Sequence, residues 1–249
     1  MKGRIAVLAI MFGVWVTAAA AASEGILLLA HNGTPEWTAR VKELAAKVDS
    51  QKPVEVVFGI SGRSSIAVAV GRLASRGVTQ VVAVPFFYPA ISPEDLAGHA
   101  VPVRTGAAFA ADPVFADVVR SRADEISTGG PEMLVVVGYG SEDGGTPWKL
   151  DLDPLARRLN GGRFASVLTI GRPAERTEAE QRQVRATVER QVAAGRSILV
   201  VPTLGAAGER DAALELMLHG FSYRIAKAAV ITDDRVVDWL AKQATPSPR

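Results

Sequence analysis

The sequence contains one series of short apolar runs twice, in the same order. Ile26–Ala30 corresponds to Leu134–Gly138, and Val81–Pro85 corresponds to Ile198–Pro202, with a proline closing each third run. Two weaker correspondences complete the series: Val54–Phe58 with Phe164–Ile170, and Val101–Val103 with Ala229–Ile231. Four matches in the same order indicate an internal repeat, because a set of unrelated valine-rich strands would not share the proline.

The runs are four to six residues long and uninterrupted, which is typical of strands buried on both faces of a parallel sheet. Helical patterns lie between them. Thr34 and Pro35 are an N-cap and a first helical residue, and Thr177 with Glu180 forms a capping box. The first of these helices presents one apolar face: Trp37, Val41, Leu44, Ala45 and Val48. This alternation predicts an α/β fold of two tandem, doubly wound parallel-sheet lobes facing each other across a cleft.

Residues 1–22 have the pattern of a secretory signal peptide. Lys2 and Arg4 precede an apolar stretch, and a run of small residues leads to an Ala-x-Ala site before Ser23. The alternative is a retained membrane anchor, for which the apolar stretch is at the lower length limit. We therefore expect an exported, periplasmic protein that has no stable membrane association after cleavage. The predicted lobes are residues 23–128 and 129–249.

Composition excludes several classes of function. The chain has no cysteine, so thiol nucleophiles, cysteine zinc sites and iron–sulfur clusters are excluded. Without Lys2 and Arg4, the 28 basic residues become 26 and equal the 26 acidic ones. This balance argues against a nucleic-acid partner. A phosphate-binding loop and a nucleophile elbow are also missing, and Gly138–Gly140 is only weak evidence for a nucleotide.

The residues that follow the strands are the candidates for function, because ligands of open parallel sheets bind at the carboxyl ends of strands. His31, Asn32 and Gly33 follow the first strand, directly before a helix N-terminus. The positive end of the helix dipole disfavours an imidazolium there, and a neutral imidazole suits a metal ligand or proton acceptor. The alternative is a histidine that only stabilises the turn.

The third strand leads into three aromatic residues, Phe86, Phe87 and Tyr88, and then into the acidic pair Glu94 and Asp95. Such aromatics can form the wall for a flat apolar ligand, and the acids can face a metal ion. Equally, Phe86 and Phe87 can be core residues with Tyr88 at the rim.

The segments LLLAHNG (27–33) and VVAVPFFYP (81–89), within a tandem repeat covering about residues 26–240, resemble the class II chelatases. The resemblance is to the sirohydrochlorin cobaltochelatase and ferrochelatase group in its long two-domain form. It implies insertion of a divalent metal, Co or Fe, into a tetrapyrrole held between two lobes, with metal as substrate and no organic cofactor. It also implies that His31 is the metal ligand and catalytic base.

The sequence departs from the family pattern at most of the other ligands. Where the family has a second histidine, around 90–93, none is present, and Glu94 is the nearest replacement. The family glutamate after the second strand falls near Ile60, and Tyr139 occupies the place of His31 in the second repeat. The remaining residues assigned to substrate binding are Asn32, Gly33, Phe87, Tyr88 and Tyr139.

Two functions remain open at this point. One is an exported chelatase in which His31 is ligand and base, assisted by Glu94 or Asp95. The other is a non-catalytic carrier of a tetrapyrrole or a metal on the same fold. A two-lobed solute-binding protein agrees with export but not with the repeat, because its lobes are usually built from interleaved chain segments.

Overall fold

The computed structural model describes residues 23–59, 63–87, 91–138, 140–143, 146–149, 152–160, 162–171, 176–203 and 212–244. The predicted signal segment, Tyr88 and Tyr139 lie outside these residues. Among the helices in the described ranges, none combines the length and apolar character that a bilayer crossing requires.

The first half alternates strands and helices from its first described element onward. Its elements are β1 (Glu24–Ala30), α1 (Pro35–Asp49), β2 (Val54–Phe58), α2 (Arg63–Ser75), β3 (Gln80–Phe86), α3 (Pro93–Leu96), β4 (Val103–Thr105) and α4 (Pro113–Ile126).

The second half follows the same order, with a β-hairpin inserted after its first strand. Its elements are β5 (Glu132–Gly138), the hairpin strands β6 (Gly140–Asp143) and β7 (Thr146–Lys149), α5 (Asp153–Leu159), β8 (Ser166–Gly171), α6 (Glu178–Ala193), β9 (Ser197–Pro202), α7 (Ala212–Leu218), β10 (Tyr223–Ile225) and α8 (Asp234–Gln243).

Two four-stranded parallel sheets share one strand order. The first has the order β2-β1-β3-β4 and the second β8-β5-β9-β10. The registers also agree, because Leu29 lies opposite Pro85 in the first sheet and Val137 opposite Pro202 in the second. The α/β class with two parallel sheets, predicted from the apolar runs, is thus confirmed.

Helices lie between the sheets and on their outer faces. Alternate residues of β1 show why: Leu27 and Leu29 pack under α2 and α3, whereas Ile26 and Leu28 face inward. Helices α6 and α7 cover the outer face of the second sheet. The inward residues of both sheets and the apolar faces of α1, α4, α5 and α8 form one continuous core. The two halves are therefore joined through apolar packing.

The last helix of each half packs on the sheet of the other half. Helix α4 follows β4 of the first sheet but contacts β9 of the second, and α8 follows β10 but contacts β3 and α1. A largely buried ion pair joins α4 to the N-cap of α8, with Arg122 Nη2 3.2 Å from Asp233 Oδ2. Each sheet thus depends on a helix from the other half of the chain.

One repeat correspondence predicted from the sequence is wrong. The run Ala229–Ile231 is not the fourth strand; a 3₁₀ turn occupies Val230–Thr232, and the strand is Tyr223–Ile225. Val230 and Ile231 are buried because they face the inner core, so their apolar character did not indicate a strand.

Candidate functional site

His31 lies at the point of the first sheet where the strand order reverses. β1 is central and has β2 on one side and β3 on the other, so the connection from β1 to β2 runs toward one edge of the sheet and the connection from β2 to β3 crosses back toward the other. In open parallel sheets the crevice beyond the carboxyl ends at this reversal is the usual ligand site. His31 follows β1 there, and Phe87 follows the adjacent β3.

A backbone carbonyl defines the chemistry of the His31 ring. Nδ1 of His31 lies 3.2 Å from the carbonyl oxygen of Phe87, and the histidine is 6% exposed. A carbonyl oxygen only accepts hydrogen bonds, so Nδ1 carries the hydrogen when this contact is made. In the neutral ring Nε2 then holds the lone pair, as in metal-binding histidines whose other nitrogen is bound to a carbonyl.

The backbone at Phe87 has an uncommon conformation that belongs to this arrangement. Its φ is 50°, in the left-handed region that a non-glycine residue seldom adopts. Such a conformation persists only where the surroundings fix it, and it is frequent at functional sites. Ring contacts at 4.9–5.4 Å with Phe86, Phe109 and Phe115 hold Phe87 in place.

The assignment of Phe87 as a substrate-binding side chain is wrong for its ring. The side chain is 1% exposed and packed among other aromatics, so its core interpretation is the correct one. Its contribution to the site is the carbonyl oxygen that faces His31. The Phe87 ring lies in the core because the chain at the end of β3 turns it inward, between the two sheets.

Trp37, in the first turn of α1, contacts His31 twice. The two rings are stacked with centroids 4.7 Å apart and an angle of 29° between planes. The indole Nε1 also donates a hydrogen bond to the carbonyl oxygen of His31 at 3.1 Å. The N-cap is as the sequence predicts: the Thr34 hydroxyl accepts from the backbone N–H of Trp37. The sequence identified Trp37 as a core residue but gave no sign of its contact with His31.

Gly33 and Asn32 are placed by close packing. A Cβ on Gly33 would lie 2.3 Å from Cδ1 of Trp37, so glycine lets the indole approach the turn. A Cβ on Gly59, at the end of β2, would lie 2.6 Å from Nδ2 of Asn32. Asn32 is exposed at the mouth of the site, with its amide against the turn after β2. Gly33 thus has a packing role, and the assignment of Asn32 to substrate binding stays a prediction.

Glu94 lies on the exposed side of α3, in the turn capped by the hydroxyl of Ser92. Within the described ranges, no three histidine, aspartate or glutamate side chains come together as a metal-binding group. The described structure therefore offers His31 as a candidate ligand without a completed ligand set around it. Tyr88 and Tyr139, the other predicted contacts, fall outside the described residues.

No protein-family model and no curated protein sequence matches the chain. Solved structures do match its fold. SirB from Bacillus subtilis with Fe3+ has a TM-score of 0.62 and 14% identity, covering 89% of this chain and 94% of SirB. The sirohydrochlorin chelatase SirB from Bacillus subtilis subspecies spizizenii in complex with cobalt has a TM-score of 0.58 and 12% identity, with the same coverage. The fold is therefore that of the chelatases to which the sequence bears a resemblance.

Proposed function

We propose that this protein handles a divalent metal, Co or Fe, together with a tetrapyrrole, as an exported relative of the sirohydrochlorin chelatases. The observation that carries the proposal is the His31–Phe87 contact at the strand-order reversal of a chelatase fold. Because this contact places the hydrogen on Nδ1, Nε2 has the lone pair that a metal ligand or a base needs. The SirB structures with iron, as Fe3+, and with cobalt support these two elements as the metals of the proposal.

The reaction requires what a neutral imidazole supplies. A tetrapyrrole loses two pyrrole protons as a metal ion enters its centre, so a base and a metal ligand are needed on one face of the ring. Nε2 of His31 has one lone pair, so it can bind the metal or accept a proton but cannot do both at once. A carboxylate must contribute the other, and we propose Glu94 for that role because it follows β3, the strand adjacent to β1. The tetrapyrrole would lie in a cleft between the lobes, with Asn32 at its edge.

Export belongs to the proposal as well. The segment 1–22 has the order of a basic, an apolar and a small-residue region. We propose that it directs the chain to the periplasm and is cleaved before Ser23. Sequencing the N-terminus of the exported protein tests this, since an intact Met1 in the membrane fraction would contradict it.

A second candidate function is a carrier that binds a tetrapyrrole or a metal without inserting one into the other. The ligand set favours it, because one imidazole does not complete a metal site and the described residues form no group of three ligands. On this alternative, His31 binds the metal and no second base is needed.

One experiment separates the two. The purified full chain is mixed with sirohydrochlorin and Co2+ or Fe2+, and the absorbance of the metal-free and metallated macrocycle is followed. A chelatase accelerates metallation over the protein-free mixture, and His31→Ala loses that acceleration. A carrier shifts the absorbance of the bound macrocycle without accelerating metallation. If the protein causes neither change and binds no metal, the whole proposal is wrong.

A further inference from the structure

We infer that Trp37 is the positioning residue of the site, and that it holds the His31 imidazole so that Nε2 is the ligating nitrogen. This inference rests on the proposed function of His31. Trp37 contacts both the ring and the backbone of His31, through the 4.7 Å stack and the 3.1 Å hydrogen bond. The stack holds the plane of the imidazole, and the hydrogen bond holds the backbone of the same residue.

The two supports of the ring do different things. The Phe87 carbonyl distinguishes the ring edges, because a flipped imidazole would present a carbon in place of Nδ1 and lose the hydrogen bond. The indole face does not distinguish the edges, but it prevents the ring from swinging away from that carbonyl. The carbonyl therefore selects the orientation and the stack maintains it.

Trp37 is itself firmly held. It is 5% exposed, and Phe86 lies parallel to it with an interplanar angle of 3° and centroids 6.2 Å apart. Gly33 leaves space for the indole to approach the turn. Close packing leaves the indole no space for another rotamer. An indole fixed in this way keeps the imidazole that stacks on it in place.

Trp239 provides a matched control. It is also 5% exposed, lies in the same core, and packs against Phe109 with centroids 4.8 Å apart. It sits on α8 rather than beside His31. Trp37→Phe and Trp239→Phe therefore remove the same atoms from one core, and only the first removes a contact with the histidine. Trp37→Tyr serves as a second test variant should Trp37→Phe fail to fold.

The first measurement reads the tautomer of His31 directly, without metal. The chain has three histidines, so long-range proton–nitrogen NMR spectra at neutral to mildly alkaline pH are simple to assign with His31→Ala. We expect the Nδ1–H tautomer of His31 in the wild type and in Trp239→Phe, and a mixture of tautomers in Trp37→Phe. An unchanged tautomer in folded Trp37→Phe and Trp37→Tyr would overturn the inference.

The second measurement is the affinity for Co2+, by titration calorimetry on the same proteins. Loss of a group that orients a metal-binding histidine weakens binding by about 10- to 100-fold. We expect at least about a 10-fold loss for Trp37→Phe and none for Trp239→Phe. Equal losses in both variants would show a general effect of core damage and contradict a positioning role.

The two readouts separate failure of the inference from failure of the proposed function. If wild type and His31→Ala bind Co2+ equally, His31 is not a metal ligand and the proposed function is wrong. The tautomer result still decides whether Trp37 orients the ring. If His31 binds Co2+ but Trp37→Phe changes neither tautomer nor affinity, the positioning role alone is wrong.

Discussion

Glu24 and Glu132 occupy the same position in the two sheets, as the first residue of the central strands β1 and β5. Both are buried, and each reaches an arginine two strands away: Arg104 for Glu24 and Arg224 for Glu132. Each arginine also bonds to the chain at, or just after, the C-terminal end of the helix supplied by the other half. Arg104 donates to the carbonyl of Gln243, and Arg224 to the hydroxyl of Thr128.

The two carboxylates differ in how well they are satisfied. Glu132 accepts hydrogen bonds from Arg163 at 2.7 Å, Arg224 at 2.9 Å and Ser127 at 2.7 Å. Burial alone would raise the pKa of Glu132, but the hydrogen bonds from Arg163 and Ser127 outweigh it and lower the pKa below its ordinary value. Glu24 has a longer contact, 3.4 Å to Arg104.

We expect Glu132→Gln to lower the free energy of unfolding by about 3 kcal/mol, because removing one member of a buried ion network leaves its partners uncompensated. Glu24→Gln is the matched control at the equivalent position. Its expected loss is about 1 kcal/mol, typical of one hydrogen bond. Chemical denaturation measures both, and equal losses would show that the extra contacts of Glu132 add no stability.

The stability of the fold at low pH should depend on the same Glu132 carboxylate. Because the pKa of Glu132 is lowered in the folded protein, its contribution is complete above the unfolded value of about 4.3 and is lost as pH falls through the folded value. Glu132→Gln cannot undergo this loss. Between pH 6 and pH 3, stability should therefore fall less steeply in the variant than in the wild type. Parallel pH profiles would contradict this account.

Gly33→Ala should disturb the site through Trp37. Its new Cβ would lie 2.3 Å from the indole, and we expect a loss of about 1–3 kcal/mol with a change in the near-ultraviolet circular dichroism of tryptophan. Gly71→Ala is the control, since it lies within α2 with no atom within 4 Å of the new Cβ. That substitution should stabilise by up to about 1 kcal/mol. An unperturbed dichroism spectrum in Gly33→Ala would contradict the packing role of Gly33.

The exchanged helices predict that the two halves unfold together. Helix α8 completes the core of the first sheet and α4 that of the second, so unfolding of either half removes packing from the other. Scanning calorimetry should show one transition whose van't Hoff and calorimetric enthalpies agree. Two resolved transitions would mean that the shared core does not couple the halves.

The sequence predicted local structure well where one residue pattern decides it. The buried face of α1 is the predicted one, and the capping box of Thr177 and Glu180 is present at the start of α6. The sequence predictions were wrong where apolar residues belong to the inner core but not to a strand, as at Val230 and Ile231. The exchange of α4 and α8 was not predictable, because an apolar helix face does not specify which sheet it covers.

For the site, the sequence placed His31 correctly at a strand end. It could not show that the chain after β3 turns a carbonyl toward that histidine, since this depends on the left-handed backbone of Phe87. It also missed Trp37, because stacking between a loop residue and the following helix leaves no periodic signal. Contacts that depend on backbone direction or on ring orientation emerge only from the folded chain.

The measurement that tests the central claim most directly is Co2+ titration of wild type, His31→Ala and His219→Ala, with thermal unfolding of each. His219 is the control, an exposed histidine that follows α7. The account predicts that His31→Ala loses Co2+ binding and stays folded, because Thr34 still caps α1, while His219→Ala binds like the wild type. Equal affinity in all three proteins would contradict a ligand role for His31, and unfolding of His31→Ala would assign that histidine to the structure of the turn instead.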